Sequence, residues 1–187
     1  MKTVGVLALQ GAFIEHEKIL KQLGVRPLEV KHKEDLNQIN GIILPGGEST
    51  TQGSLLETED LLQPLKEKIE QGLPTLATCA GSILLSQEIE DQQEVYLQTL
   101  PVTIRRNAFG RQSHSFKSRG TFLSTAVEMI FIRAPFFTQV DPDVQILSKV
   151  EDHIVAVQYH NQVALSFHPE LTQDPTIHSY FIHTLLV

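Results

Sequence analysis

The chain has a single cysteine, Cys79, and it stands in Leu73-Pro74-Thr75-Leu76-Ala77-Thr78-Cys79-Ala80-Gly81-Ser82-Ile83-Leu84-Leu85, where its neighbours point to nucleophilic chemistry at sulfur. Thr75 to Thr78 suits a short buried strand and Ala80 to Ser86 a buried helix, so Cys79 falls on the turn between them. A residue on such a bend is strained and needs small neighbours, which Ala77, Ala80 and Gly81 supply. The bend lifts the thiol off the sheet and aims the N-terminus of the following helix at it. That placement favours thiolate and leaves the Ala80 N–H for a developing oxyanion. A cysteine acting only as a small buried hydrophobe would fit the same flanks, so catalysis requires a base from elsewhere in the chain.

Among eight histidines, His168 is set apart by Ser166-Phe167-His168-Pro169-Glu170-Leu171, which places an imidazole and a carboxylate at the end of an apolar strand. Pro169 has no N–H for a ladder, so strand pairing should stop there. In extended backbone, residues two apart face the same way, and His168 and Glu170 are expected to work together. The carboxylate would fix the imidazole tautomer and favour its charged form. An imidazolium beside a thiol in turn favours thiolate.

These groups need a scaffold, and the first half of the chain reads as alternating strands and helices. Val4 to Leu9 is a first central strand, Ala12 to Leu23 a helix closed by Gly24, and Arg26 to Val30 a second strand. A polar connection, Lys31 to Asn40, leads to Gly41-Ile42-Ile43-Leu44, a strand with no polar face. This alternation predicts a parallel sheet covered on both sides. Pro45-Gly46-Gly47-Glu48-Ser49-Thr50-Thr51 then lies at a strand's carboxyl end, where open α/β sheets bind ligands. It lacks the spacing of a nucleotide-binding loop. Its paired glycines let backbone N–H groups approach a ligand, although a plain turn with a helix cap at Ser49 or Thr50 is the simpler reading of the loop alone.

Leu55 to Gln71 reads as one or two helices. Beyond a charged loop at Glu88 to Glu94 come β-rich runs at Val102 to Arg106, Val127 to Ile132, Val144 to Val150, Ile154 to Tyr159 and Val163 to Phe167. The last three are close enough for hairpins, and a helix from about Thr176 to Leu186 closes the chain. The expected fold is therefore α/β and three-layered. A mainly parallel central sheet is flanked by helices, with an antiparallel β extension packed on it.

A length of 187 residues, 41% hydrophobic and 20% charged, fits one globular domain spanning residues 1–187. The net charge of −7 argues against nucleic acid or an anionic membrane as principal partner and leaves small molecules and proteins. The apolar start is too short for a signal peptide, and no stretch is long enough to span a bilayer. With one cysteine and no internal disulfide, a cytoplasmic location is expected. The chemistry requires neither a metal nor a cofactor.

Taken together, Gly5-Val6-Leu7-Ala8-Leu9-Gln10-Gly11, the Pro45 to Thr51 loop, Thr78-Cys79-Ala80-Gly81, Arg106-Asn107-Ala108-Phe109-Gly110-Arg111-Gln112, Phe131-Ile132-Arg133-Ala134-Pro135 and Ser166 to Thr172 resemble the glutaminase subunits of pyridoxal 5′-phosphate synthases. These belong to the class I glutamine amidotransferases. The Cys and His-x-Glu pattern is shared across the class, whereas the Arg106 to Gln112 and Phe131 to Pro135 runs are far more specific to this one subunit. The resemblance implies hydrolysis of L-glutamine to glutamate and ammonia, with the ammonia passed to a barrel-shaped synthase subunit. It makes Cys79 the nucleophile with His168 and Glu170 its partners. It assigns Gly46, Gly47, Glu48, Arg106, Ile132 and Arg133 to the glutamine site, and Gly47 and Ala80 to the oxyanion hole. Arg106 suits the α-carboxylate, because a guanidinium binds it through two parallel hydrogen bonds. Arg105, Arg111, Lys117 and Arg119 read as a solvated basic loop.

The sequence departs from the family at Ala77, where glycine is usual, at Ser82, usually apolar, and at Lys117, commonly acidic. It also lacks glycines between Gln87 and Leu100. Two alternatives are the glutaminase component of another amidotransferase or a γ-glutamyl hydrolase, and a non-catalytic scaffold of the same fold. The Arg106 to Gln112 run opposes the former, and the intact Cys79, His168 and Glu170 oppose the latter.

Overall fold

The computed structural model describes residues 2–109 and 115–186, so the Gly110-Arg111-Gln112 part of the family motif lies outside the described residues. The first half follows the alternation read from the sequence. β1 (Thr3–Leu7) leads to α1 (Phe13–Gln22), β2 (Arg26–Val30), a 3-10 turn at Lys33–Gln38, β3 (Gly41–Leu44), α2 (Ser49–Thr58), α3 (Leu62–Glu70), β4 (Thr75–Thr78) and α4 (Ala80–Leu85). Apolar side chains alternate strictly along these strands. Ile42, Leu44 and Ala77 enter a core on one face of the sheet, and Val4, Val6, Ile43 and Leu76 one on the other. A sheet buried on both faces must be covered twice, which is the physical basis of the three layers. None of the helices among the described residues is long and apolar enough to cross a membrane.

α2 begins at Ser49, earlier than the expected Leu55, because Glu48 caps it. The Glu48 carboxylate accepts from the backbone N–H of Thr50 at 3.2 Å and of Thr51 at 2.7 Å. The cap is thus neither Ser49 nor Thr50, and an acidic cap also suits the positive end of the helix dipole.

The second half contains β5 (Ser86–Ile89), β6 (Leu100–Arg105), β7 (Ser115–Phe122), β8 (Thr125–Ile132), β9 (Phe136–Val140), β10 (Gln145–Val150), β11 (His153–Tyr159) and β12 (Gln162–Leu165). It closes with α5 (Thr176–Tyr180), which runs into a π-helical turn at Phe181–Leu185. Both expected hairpins form, β10 with β11 and β11 with β12. Most of the extension continues the parallel sheet, in the order β2-β1-β3-β4-β12-β11-β9-β6-β5, with β10 also on β11, whereas the β7–β8 pair packs on it as expected, Val127, Met129 and Phe131 entering the core on the Val4, Val6 and Leu76 face. β12 is buried at every position and so takes a central place, parallel to β4, with Leu165 opposite Thr78. β7 and β8 form a separate two-stranded sheet, and Lys117 and Arg119 lie on the exposed side of β7 rather than on a loop. β5, within and just before the expected charged loop, is a polar strand at the sheet's edge, pairing with β6 alone.

Candidate active site

Cys79 occupies the corner between β4 and α4 with φ +48° and ψ −104°, a region that side-chain-bearing residues rarely adopt. The corner is held from three sides. Cys79 N–H donates to Leu165 O of β12 at 2.8 Å, and Cys79 O accepts from the N–H of Ser82 at 3.1 Å. Ser82 Oγ donates to Leu165 O at 2.7 Å and lies 3.3 Å from Ala77 O, so this hydroxyl ties helix, strand and neighbouring strand together. Any side chain at Gly81 would collide with Leu44 O, which is why the helix can start so close to the sheet. The Ala77 methyl is absorbed into the core.

His168 reaches the corner from the strand beside β4. Ser166 N–H still donates to Val155 O of β11 at 2.8 Å, and two residues on His168 N–H donates instead to Ile130 O of β8 at 2.8 Å. His168 and Glu170 were expected on one face of extended chain, but Pro169–Leu171 is a 3-10 turn. Proline suits the first position of such a turn, and the turn folds Glu170 back onto its neighbour. His168 Nδ1 lies 2.7 Å from Glu170 Oε1, so the carboxylate holds a proton on Nδ1 and leaves Nε2 available for proton transfer. Burial acts to lower the His168 pKa, but hydrogen bonding to Cys79 and Glu170 and their charges overcome it and raise it to about 10. Burial also acts to raise the Glu170 pKa. A positive charge on His16, present only when that ring is protonated, and the hydrogen bond and charge of His168 act against it and hold the carboxyl below its ordinary range.

A cavity of about 450 Å³ opens above this pair. Gly46, Gly47, Glu48, Cys79, Ala80, Arg106, Ile132, Arg133 and His168 all line it, and Glu170 sits behind His168. A side chain at Gly46 would run into the His168 ring, so that glycine is required by close approach. The Gly46–Gly47 loop is fixed by Thr78 Oγ1, which accepts from Gly46 N–H at 3.0 Å, and by Ala12 N–H, which donates to Gly46 O at 2.9 Å. Gln10 Oε1 accepts from Glu48 N–H at 2.9 Å. On the far wall Arg106 Nη2 pairs with Glu48 Oε1 at 3.2 Å, and Arg106 Nη1 donates to Gln92 Oε1 at 3.0 Å. Asn107 and Arg133 both have positive φ, and Ala108 N–H donates to Ala134 O at 3.0 Å, joining the two loops that carry Arg106 and Arg133. Sγ of Cys79 is 3.9 Å from Ile132 O.

Sequence reasoning missed the buried groups behind Glu170, which are His16, Thr78 and His178. The one available signal was the spacing of His16 with Ile19 and Leu20 on the buried face of α1.

A solved structure described as a glutamine amidotransferase has a TM-score of 0.94 and 41% identity to this chain, covering 98% of it and 99% of its own chain. The structure of PurLQS from Thermotoga maritima, at 17% identity and a TM-score of 0.71 over 94% of this chain and 91% of that one, shares the fold alone. Fold and site therefore define a glutamine amidotransferase. More narrowly, the chain belongs to the SNO glutamine amidotransferase family, whose sequence model matches residues 6–187. Curated relatives named pyridoxal 5′-phosphate synthase subunit PdxT come from Desulfitobacterium hafniense (strain DSM 10664 / DCB-2) and Clostridium beijerinckii (strain ATCC 51743 / NCIMB 8052). The first is 55% identical over 97% of this chain and 92% of its own, the second 51% identical over 96% of each. The chain is an enzyme, a glutaminase that releases ammonia from the side-chain amide of glutamine.

Proposed function

We propose that Cys79, His168 and Glu170 carry out this hydrolysis as a triad, and that the ammonia goes directly to the synthase subunit of a pyridoxal 5′-phosphate synthase in a hetero-oligomer. The ammonia serves pyridoxal 5′-phosphate synthesis. The observation that carries the triad is the His168–Glu170 pair, 2.7 Å apart and delivered to a cysteine on a strained corner. The Cys79 thiolate attacks the side-chain amide carbon, and the N–H groups of Ala80 and Gly47 hold the resulting oxyanion, each worth about 3 to 4 kcal/mol in comparable hydrolases. The His168 imidazolium gives its Nε2 proton to the departing nitrogen, releasing ammonia and leaving a γ-glutamyl thioester. The neutral imidazole then takes a proton from water, the hydroxide adds to the thioester carbon, and collapse expels the thiolate and frees glutamate. Throughout, Glu170 stays ionised and stabilises the imidazolium.

Glutamine is a zwitterion, and Glu48 and Arg106 meet it with the opposite charges. Arg106 takes the α-carboxylate and Glu48 the α-ammonium. Until substrate arrives the two side chains neutralise each other, which keeps both in place. Ile132 and Arg133 close the wall opposite the Gly46–Gly47 loop. The whole of residues 1–187 acts as one glutaminase domain, located in the cytoplasm.

Replacing Cys79 by Ala is expected to abolish glutamate release while leaving fold and complex formation intact; normal turnover by that variant would refute the nucleophile. The loop carrying Gly47 is anchored by Gln10 and Ala12 at the entrance to α1, so a synthase subunit docking there would set its position. Glutamate release by the isolated chain is therefore expected to be slow and to rise on adding the synthase subunit. Full activity without that subunit would count against the coupling.

A further inference from the structure

We propose that His16, oriented by His178, is a positioning residue that holds both the Glu170 carboxylate and the Gly46 loop. The inference rests on the triad reading. His16 is completely buried on the inner face of α1, and its two ring nitrogens face different partners. Nδ1 lies 2.8 Å from His178 Nε2. Nε2 lies 3.3 Å from Thr78 Oγ1 and 3.6 Å from Glu170 Oε2. The groups that bear on the His16 charge are Glu170, Glu15, His168 and His178. Burial dominates and lowers the His16 pKa against the opposing pull of Glu170. It lowers that of His178 further, with His16 adding to the effect. Both rings are thus neutral, with one N–H each.

The single proton between the rings can sit on either, and the choice decides what Glu170 faces. If His16 carried it on Nδ1, the Nε2 lone pair would point at a carboxylate oxygen, a repulsive arrangement in a buried site. If His178 carries it on Nε2, His16 keeps Nε2–H and turns a donor toward Glu170 and Thr78. The second arrangement also leaves His178 Nδ1 as a bare acceptor rather than a stranded N–H. Among the described residues neither His178 Nδ1 nor Glu170 Oε2 has a closer hydrogen-bond partner. Thr78 Oγ1 then accepts from both His16 and the Gly46 N–H. One neutral ring therefore braces the carboxylate on one side of His168 and, through Thr78, the glycine packed against the His168 ring.

The test is histidine 15N NMR on the full chain, with kinetics on the chain assembled with its synthase subunit. His16 is expected to be neutral and Nε2-protonated at about pH 7.5, with any titration below the ordinary 6.5; an Nδ1–H tautomer, or titration at or above pH 6.5, overturns the inference. His16→Leu is expected to lower kcat about 10- to 100-fold, the range for lost orienting partners, with KM for glutamine changed less than about threefold. Its alkaline loss of activity should begin at lower pH. His16→Gln, whose amide can offer an N–H near the Nε2 position, should recover most of the lost kcat. A folded His16→Leu with unchanged kcat and pH profile, or a His16→Gln no better than it, also overturns the inference. If His16→Leu fails to fold, the tautomer decides. An active Cys79→Ala would remove the triad reading instead, whereas an inactive Cys79→Ala with an Nδ1–H tautomer removes this inference alone.

Discussion

His168 is the residue on which the charges of the site converge, and its protonation sets the pH behaviour. Its pKa of about 10 lies above the ordinary value of 6.5. The pairing with Glu170 and Cys79 therefore stabilises the fold fully below pH 6.5 and is lost as pH rises through about 10. Activity should follow the same sign, because in the proposed mechanism the imidazolium is the acid that protonates the leaving nitrogen. In the assembled enzyme kcat/KM for glutamine is expected to be level through neutral pH and to fall as pH rises toward 10. Glu170→Gln removes the negative charge that raises the pKa, so the fall should move to lower pH, with kcat reduced about 100-fold or more. A pH–rate profile in which Glu170→Gln left the alkaline fall in place would contradict the role given to the carboxylate.

At the scale of elements, the corner between β4 and α4 depends on a hydroxyl that the family resemblance marked as unusual. Ser82 Oγ links α4 to Leu165 O and Ala77 O in a buried site. Ser82→Ala removes that link but leaves Leu165 O its bond from Cys79 N–H. The expected loss is therefore that of one hydrogen bond, about 1 kcal/mol in urea unfolding, with glutaminase activity largely kept. The elements that carry this corner were legible from sequence because they have a strong local signature. Thr75 to Thr78 is short and apolar, and Ala80 and Gly81 are small. Three strands lay outside the expected runs: β9, whose Phe136, Phe137, Thr138 and Val140 are aromatic or branched but which follows Pro135 directly, and two with weak signatures. β5 is polar because an edge strand needs little apolar surface, and β7 alternates exposed and half-buried residues without a run of branched side chains. The turn after His168 was read as extended because a His-x-Glu spacing fits a strand as well as a 3-10 turn.

For the whole molecule, the buried His16 and His178 pair joins α1 to α5 on one face of the sheet and makes stability depend on acid. Both pKa values lie below the ordinary 6.5, so the stability of the neutral forms is present above pH 6.5 and is lost as pH falls below it. Each imidazole should contribute a slope of up to roughly 1 kcal/mol per pH unit. Urea unfolding at pH 7.5 and 5.0 is expected to show the loss, and His178→Phe should remove part of it. An unchanged slope in that variant would place the acid sensitivity elsewhere.

The amino-acid sequence by itself determined the local pieces: the strand-to-helix bend at Cys79, the alternation that demands a sheet covered twice, and the apolar strand leading to His168. It also carried the family likeness, through Arg106 to Gln112 and Phe131 to Pro135. Only the tertiary structure decided that β12 inserts beside β4, which brings His168 to Cys79, and that α1 and α5 meet behind Glu170. Periodicity and spacing record which way a side chain faces along its own element. Strand order and helix docking arise from long-range burial, where many separated segments compete for the same central positions, and no local pattern encodes the outcome.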